Sequence, residues 1–369
     1  MSSHKDLVVV TGASGYLGSW IVVKLLNSGK YKVRGTVREH DNAEKMDPLK
    51  KAIEENCKDN YEDLEFASAS LDDFVSIKLA LKGAKYVIHV ASPMPGSNTK
   101  DRENTLIKPA IEGNLNVLKA CIDSTVEKVV ITSSGLTVCD HAAGDGTYGP
   151  ETFVEEHKDL DDYSKSKIRA EAAAKEFMED LGEDQRDFDV MFMHPGGISG
   201  APIVPQRKGD TIEQFCMILE GKVPGVPQVY YPMVDVEDTA EAHVKALEKG
   251  VHLGRYPLCS DTIKMVEIVK IIKKDYEDIM GHKISDKEVG KCLVWLGSWF
   301  NSDAKNIYYH WNINARLDGT YAKEELGLKD YKTIEQSIVE TCDFLIKNKL
   351  CKQPKKPKDT EDSKEEAKE

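Results

Sequence analysis

Four apolar residues, Leu7-Val-Val-Val10, run without a break into Thr11-Gly12-Ala13-Ser14-Gly15-Tyr16-Leu17-Gly18. The apolar run suits a strand buried on both faces, and Leu17, Ile21 and Leu25 then recur at helical spacing. Between strand and helix, Gly12 is placed for a tight turn, Gly15 for close approach to a pyrophosphate and Gly18 for close helix–strand packing. A helix start offers unpaired N–H groups and the positive end of its dipole to phosphates. A glycine turn in this setting reads as a dinucleotide site, with Thr11, Gly12, Ser14, Gly15, Tyr16, Leu17 and Gly18 as candidate residues. An ordinary strand–helix turn is the alternative.

The pattern continues as alternating apolar runs and amphipathic stretches, with strands expected over 31–38, 64–67, 86–91, 128–132 and 188–193. Ile107, Ile111, Leu115, Leu118 and Ile122 suit one face of a helix with Pro109 in its first turn or kinking it, and 163–181 suits another. The expected class is α/β: a Rossmann-type doubly wound parallel sheet with a smaller, mainly helical C-terminal substrate lobe. After His194-Pro195-Gly196-Gly197 the pattern loosens around Pro202, Pro205, Pro224 and Pro227. A strand near 255–259 and helices near 263–276 and 334–347 follow. The expected division is 1–195 for the nucleotide-binding domain, completed by about 234–262, then 196–233 and 263–350 for the substrate lobe. Residues 351–369 form an expected disordered tail, whose 352–369 portion holds six Lys and six acidic residues.

Composition narrows the function. The 369 residues are 40% apolar and 31% charged, and Lys+Arg 50 against Asp+Glu 63 gives a net charge of −13. Such a surface repels nucleic acid and anionic lipid, so neither is an expected partner. No apolar stretch reaches the ~20 residues that span a bilayer, and no secretory signal is read at Met1. The eight cysteines are scattered without a CxxC pair, which suggests reduced cytoplasmic thiols and neither a disulfide framework nor a metal site.

The end of the second strand discriminates between dinucleotides. Sites for NAD place an acid about 20 residues past the glycine turn, on the ribose 2′-hydroxyl. No acid stands at Val37-Arg38; Arg38 offers a charged fork for a 2′-phosphate and Lys45 a second cation. NADP(H) is therefore the expected cofactor, unless both side chains are simply solvated.

Tyr163-Ser-Lys-Ser-Lys167 sets a phenol and an ammonium four residues apart on one helix face. The spacing alone carries little, since 14 tyrosines at this chain's Lys+Arg frequency predict about two such matches by chance. Its position, between a strand ending in Thr132-Ser133-Ser134 and the next strand, gives it meaning. A nearby lysine charge lowers the phenol's pKa from ~10, and a serine hydroxyl beside it would complete a two-donor grip on a carbonyl oxygen.

With these pieces in order, the chain resembles the extended short-chain dehydrogenase/reductase family, within it the dihydroflavonol-reductase-like aldehyde and ketone reductases. The resemblance covers most of 6–350 and rests on VVVTGASGYLGSWIVVKLL, VRGTVRE, HVASPM, KPAIEGNLNVLKAC, VVITSS, YSKSK, HPGGISG and VDVEDTAEAH. It implies a catalytic set of Ser134, Tyr163 and Lys167. It further implies NADP contacts at Arg38 and Lys45, adenine contacts near Ser70 and Leu71, and ribose and nicotinamide contacts at Ala91, Ser92, Pro195, Gly196 and Gly197, shared by Tyr163 and Lys167. Ser70 replaces the acid often found there, and the Asn of some relatives' catalytic tetrad has no counterpart in 109–113. Cys139 stands where plant dihydroflavonol reductases carry a flavonoid-gripping Asn, which argues against a flavonoid substrate.

The implied reaction is NADPH-dependent reduction of an aldehyde or ketone. Alternatives are a hydroxysteroid dehydrogenase or nucleotide-sugar epimerase/dehydratase of the same fold, and a non-catalytic nucleotide-binding subunit of a larger complex. A homodimer or docking to such an assembly is compatible with the sequence. Trp295, Trp299 and Trp311, with Phe300, Tyr308 and Tyr309, suggest packing of the smaller lobe or, less simply, an aromatic lid or docking surface. His89 and His194 read as buried sheet residues without catalytic roles, and Tyr230-Tyr231 as possible substrate contacts.

Overall fold

A computed structural model describes residues 5–93, 101–185, 187–207, 209–299 and 302–352. Met94 and Phe300 lie outside the described residues, as does all of the expected tail beyond Lys352.

The strands are β1 (Asp6–Thr11), β2 (Tyr31–Val37), β3 (Leu64–Ser68), β4 (Tyr86–His89), β5 (Lys128–Thr132), β6 (Gly146–Tyr148), β7 (Asp189–Pro195), β8 (Gly197–Ser199), β9 (Tyr230–Asp235), β10 (Arg255–Leu258), β11 (Asp261–Lys264) and β12 (Ala315–Leu317). The helices are α1 (Tyr16–Ser28), α2 (Ala43–Asn56), α3 (Phe74–Ala80), α4 (Lys108–Cys121), α5 (Asp162–Gln185), α6 (Asp210–Leu219), α7 (Val236–Lys249), α8 (Met265–Met280), α9 (Lys291–Ser298), α10 (Ser302–Tyr309), α11 (Thr320–Leu326) and α12 (Ile334–Lys347).

Seven strands form one parallel sheet in the order β10-β7-β5-β4-β1-β2-β3. The chain works outward from β1 in one direction through β2 and β3, then in the other through β4 and β5. The carboxyl ends flanking that reversal are where an open α/β sheet leaves its crevice. Val8, Val9 and Val10 are buried, as expected of a strand covered by helices on both faces. One apolar core lies between the sheet, α1, α2 and α7, and another fills the opposite face against α3, α4 and α5.

A further core joins α6, α8 and α12 with Val229 and Met233 at β9. It sits beside a small sheet in the order β11-β9-β8, and β6 pairs with β12. Periodicity did not indicate these strands, because each is only three to six residues long and their pairing partners are remote in sequence.

Two expectations shift in detail. Of the predicted stripe, Ile107 and Leu118 are buried while Ile111, Leu115 and Ile122 are half-buried, and Ala110, Gly113, Val117, Ala120 and Cys121 complete the buried face of α4. The small residues there admit close packing against α5. Glu103–Ile107 form a π-helical turn leading into α4. Pro109 lacks the N–H that would bond four residues back, and the ladder is displaced by one residue just before it. Cys351, assigned above to the tail, is instead buried in the α6–α8–α12 core, where its neighbours Leu350 and Lys352 are bonded to Arg207 and Glu220.

Candidate active site

The candidate residues lie along the carboxyl edge of the sheet in the order that the strands impose. After β1, Gly12 has φ +69°, and a Cβ there would lie 3.1 Å from the Ala91 Cα. A Cβ on Gly18 would lie 2.2 Å from the Gly12 carbonyl oxygen, so only glycine lets α1 start so close to its own turn. Ser14 and Gly15 are exposed, and Gly15 begins α1 with no side-chain cap and no acid in the first turn. A helix start without a side-chain cap is the arrangement that receives a pyrophosphate. Thr11 accepts from the Val90 and Ala91 N–H groups at 3.1 Å through its hydroxyl, which also bonds His89 Nδ1 at 2.7 Å. The ends of β1 and β4 are thereby fixed to each other. Leu17 is buried in the core, and Tyr16 donates its phenol to the Gly200 carbonyl at 2.6 Å. Contacts from those two residues to a nucleotide would come from the backbone.

Beyond β2, Arg38 is exposed, and its charge is felt by both Glu39 and Asp72. Lys45 pairs with Glu39 at 2.8 Å on the surface. Ser70 donates to Asp72, and the Leu71 carbonyl accepts from Asn116 at 2.8 Å, joining the segment after β3 to α4. These residues form a second group, at the β2–β3 end of the edge.

The group below β4 and β5 centres on Lys167. Its side chain is buried; its ammonium donates to the Ser92 hydroxyl at 3.3 Å and lies 5.8 Å from the centre of the Tyr163 ring. Tyr163 is half-buried at the first turn of α5. Burial holds the Lys167 ammonium down to about 8, with the charge of Glu171 pulling the other way. Ser134 is buried where β5 ends, and its oxygen accepts from the Leu136 N–H at 3.3 Å, which leaves the hydroxyl to donate elsewhere. Helix α5 packs against the turn formed by Gly135–Thr137. A Cβ on Gly135 would lie 3.2 Å from the Pro195 carbonyl, so Ser134 and Pro195 belong to adjacent segments. Gly196 follows, its N–H bonded to the Leu258 carbonyl at 3.0 Å, and Gly197 opens β8.

Several neighbours of this group were not foreseen. Asn114 lines a small cavity with Ala91, Ser92, Ser133 and Lys167, and donates to the Ala170 carbonyl of α5 at 3.1 Å. It is the residue directly after the 109–113 segment that lacks the tetrad Asn. Glu171, one turn past Lys167, accepts from Arg255 at 2.7 Å, from Thr137 at 2.7 Å and from Ser133, and bonds His194 at 3.0 Å. Burial would raise the Glu171 carboxyl, but His194 and then Arg255 hold it well below the usual carboxylate range. The recurrence of Tyr163, Lys167 and Glu171 at four-residue spacing was a legible sign of a polar face on α5. His89 is buried, and burial followed by the Lys167 charge holds its ring down to about 4.

Cys139 is buried beside Val138, Cys259 and Leu317 in an apolar cluster. The aromatic segment departs from the simple packing expectation, since Leu293, Trp295, Leu296 and Trp299 on and just after α9 are exposed. The helix is held through Lys291, whose ammonium lies 5.1 Å from the centre of the Tyr308 ring of α10. Asn306 of α10 donates to Asp161, two residues before Tyr163, at 3.2 Å. Among the described residues no helix is long and apolar enough to cross a membrane.

The profile of the NAD dependent epimerase/dehydratase family matches residues 8–259. An uncharacterized oxidoreductase of Schizosaccharomyces pombe is 30% identical over 333 residues, which cover 85% of this chain and 95% of that protein. Dihydroflavonol 4-reductase of Dianthus caryophyllus is 31% identical over 322 residues, covering 82% and 85% respectively. Among solved structures, Gre2 of Candida albicans in complex with NADPH superposes with a TM-score of 0.74 at 26% identity, covering 93% of this chain and 99% of that one.

Proposed function

The chain belongs to the NAD dependent epimerase/dehydratase family and is an oxidoreductase, and from that premise we propose that it is an NADPH-dependent reductase of aldehyde and ketone carbonyls. The observation that carries the reading is the buried Lys167 ammonium held between Ser92 and the Tyr163 ring at the carboxyl end of β4.

The residues fit a dinucleotide. The tight approach of Gly12 to Ala91, the uncapped start of α1 and the exposed Arg38 supply room, phosphate donors and a cation in the order that such a molecule needs. Thr11 through Gly18 would hold the pyrophosphate, Arg38 with Lys45 the 2′-phosphate, Ser70 and Leu71 the adenine side. Ala91, Ser92, Tyr163, Lys167 and 195–197 would hold the ribose and nicotinamide. The NADPH of the Candida structure supports that choice. When bound, the nicotinamide supplies the hydride.

The chain's own residues handle the carbonyl oxygen. Ser134 donates a hydrogen bond to it, and Tyr163 donates both a hydrogen bond and, as the new hydroxyl forms, its proton. The Lys167 charge favours the phenolate left behind. Glu171 and Arg255 orient α5 from behind and do not meet the substrate. The tie between Asn306 and Asp161 supports the α9–α10 pair as an apolar rim on the substrate side.

The test follows NADPH oxidation with a panel of aldehydes and ketones, set against nucleotide sugars and 3-hydroxysteroids. Carbonyl-dependent turnover that falls by about 10²–10⁴ in Tyr163→Phe is expected. Turnover of nucleotide sugars alone, or a Tyr163→Phe variant as active as wild type, would end the reading.

A further inference from the structure

Two cysteines 135 residues apart in sequence meet inside the α6–α8–α12 core. Cys216 on α6 and Cys351, just past α12, bring their sulfur atoms to 3.3 Å, with the Cys351 thiol donating. Both side chains are buried. The separation exceeds the ~2.05 Å of a disulfide by about 1.3 Å.

The flanking backbone is held as well. Arg207 donates to Glu213 at 2.6 Å and to Glu220 at 2.5 Å, and reaches the Leu350 carbonyl at 3.4 Å. Glu220 in turn accepts the Lys352 N–H at 2.9 Å. The residues on both sides of Cys351 are thus bonded to the network at the end of α6, which sets the facing of the two sulfurs. That network also differentiates them. The hydrogen bond from Cys351, with help from Arg207, holds the Cys216 thiol below its ordinary value against the opposing effect of burial. The same bond and burial push the Cys351 thiol up. The two sulfurs are thus biased in opposite directions, with Cys351 as the hydrogen-bond donor and Cys216 as the acceptor.

We propose that Cys216 and Cys351 are a redox-sensitive pair, oxidised by hydrogen peroxide to a disulfide that staples α6 to the C-terminal end of the core. The Cys216 thiolate attacks one peroxide oxygen, the O–O bond breaks, and a sulfenic acid and water result. The Cys351 sulfur then attacks the Cys216 sulfur, the S–O bond breaks, and a second water carries off the Cys351 proton. Two thiols lose two electrons and two protons, and one peroxide becomes two waters. The closed loop spans 135 residues and includes β9, α7, β10 and α8, so the denatured chain is strongly constrained. Helix α6 packs against β8, so the staple also stiffens one wall beside 195–197.

The test treats the full chain with graded hydrogen peroxide, blocks remaining thiols with an alkylating agent and maps peptides by mass. The expected result is a Cys216–Cys351 linked peptide pair that dithiothreitol reverses, with Tm raised by roughly 5 °C or more in the oxidised protein and unmoved by peroxide in Cys351→Ser. The peptide map uses the wild-type chain, so a Cys351→Ser variant that folds poorly does not obscure it. Oxidation confined to the exposed Cys292, linkage of Cys216 to Cys342, or full alkylation of both thiols after peroxide would each overturn the proposal. Because the readouts are covalent linkage and Tm, the outcome is independent of the carbonyl reductase reading.

Discussion

The Arg255 guanidinium holds the Glu171 carboxylate at 2.7 Å, one turn of α5 beyond Lys167, and both side chains are buried. Arg255 also donates to the Pro150 carbonyl at 2.9 Å and the Thr137 carbonyl at 3.0 Å, so β10, α5 and the turn after Ser134 are fixed together. Removing one partner strands the other charge in the interior. Arg255→Met should therefore lower stability by about 3–5 kcal/mol, read from urea unfolding. A loss below 1 kcal/mol would mean that water reaches the pair.

Acid sensitivity follows from the same carboxylate. Its folded value lies below the unfolded one, so its contribution is complete above the unfolded range of ~4.3 and is lost as pH falls toward the folded value. Stability should decline more steeply below pH ~4 in wild type than in Glu171→Gln, measured by thermal melts across that range. Parallel curves would remove Glu171 from the account.

Lys167 gives the opposite sign. Its folded value of about 8 lies under the ~10.4 of an unfolded lysine, so burying the charge opposes folding below pH 8 and the opposition fades as pH rises. Losing the charge also removes support for the phenolate, and kcat/KM for NADPH should fall about tenfold per pH unit above roughly 8. Lys167→Met should abolish that alkaline limb along with most of the rate. A limb unchanged in the variant would assign it to another group.

Cofactor choice is tested at Arg38. Titration calorimetry with Arg38→Ala should show NADPH affinity reduced about 10- to 100-fold, the weight of one charged hydrogen bond, and NADH affinity unchanged. Lys45→Ala should have a smaller effect, because that ammonium is exposed and paired with Glu39. Equal affinity of the wild type for both nucleotides would contradict the assignment.

Much of the sheet was legible because its central strands, such as β1 and β5, are apolar runs covered on both faces. The run at 128–132 matches β5 and 334–347 matches α12, while 86–91 stops early at His89 because Val90 and Ala91 turn toward the Thr11 hydroxyl. The Glu171–Arg255 contact was not legible, as 84 residues separate two charges that alone look like surface residues. Asn114 was not legible as a site residue because it falls just past 109–113, where the resemblance places such an amide, and only the packing of α4 on α5 brings it to the cavity. The exposed apolar residues of α9 resembled core positions because composition does not say which side of a helix finds a partner.

Gly18 offers a test of the turn itself. In Gly18→Ala the new methyl would meet a backbone oxygen at 2.2 Å, where no flexible side chain yields. Destabilisation of at least about 1–3 kcal/mol is expected, with weakened nucleotide binding in whatever folds. Unchanged urea midpoints would show that α1 can withdraw from the turn without penalty.

The phenol of Tyr16 and the indole of Trp20, bonded to the consecutive carbonyls of Gly200 and Ala201 at 2.6 and 2.9 Å, act as two rivets between the floor of the phosphate cradle and the chain that leaves β8. The crevice cannot gape at this corner unless both shear together.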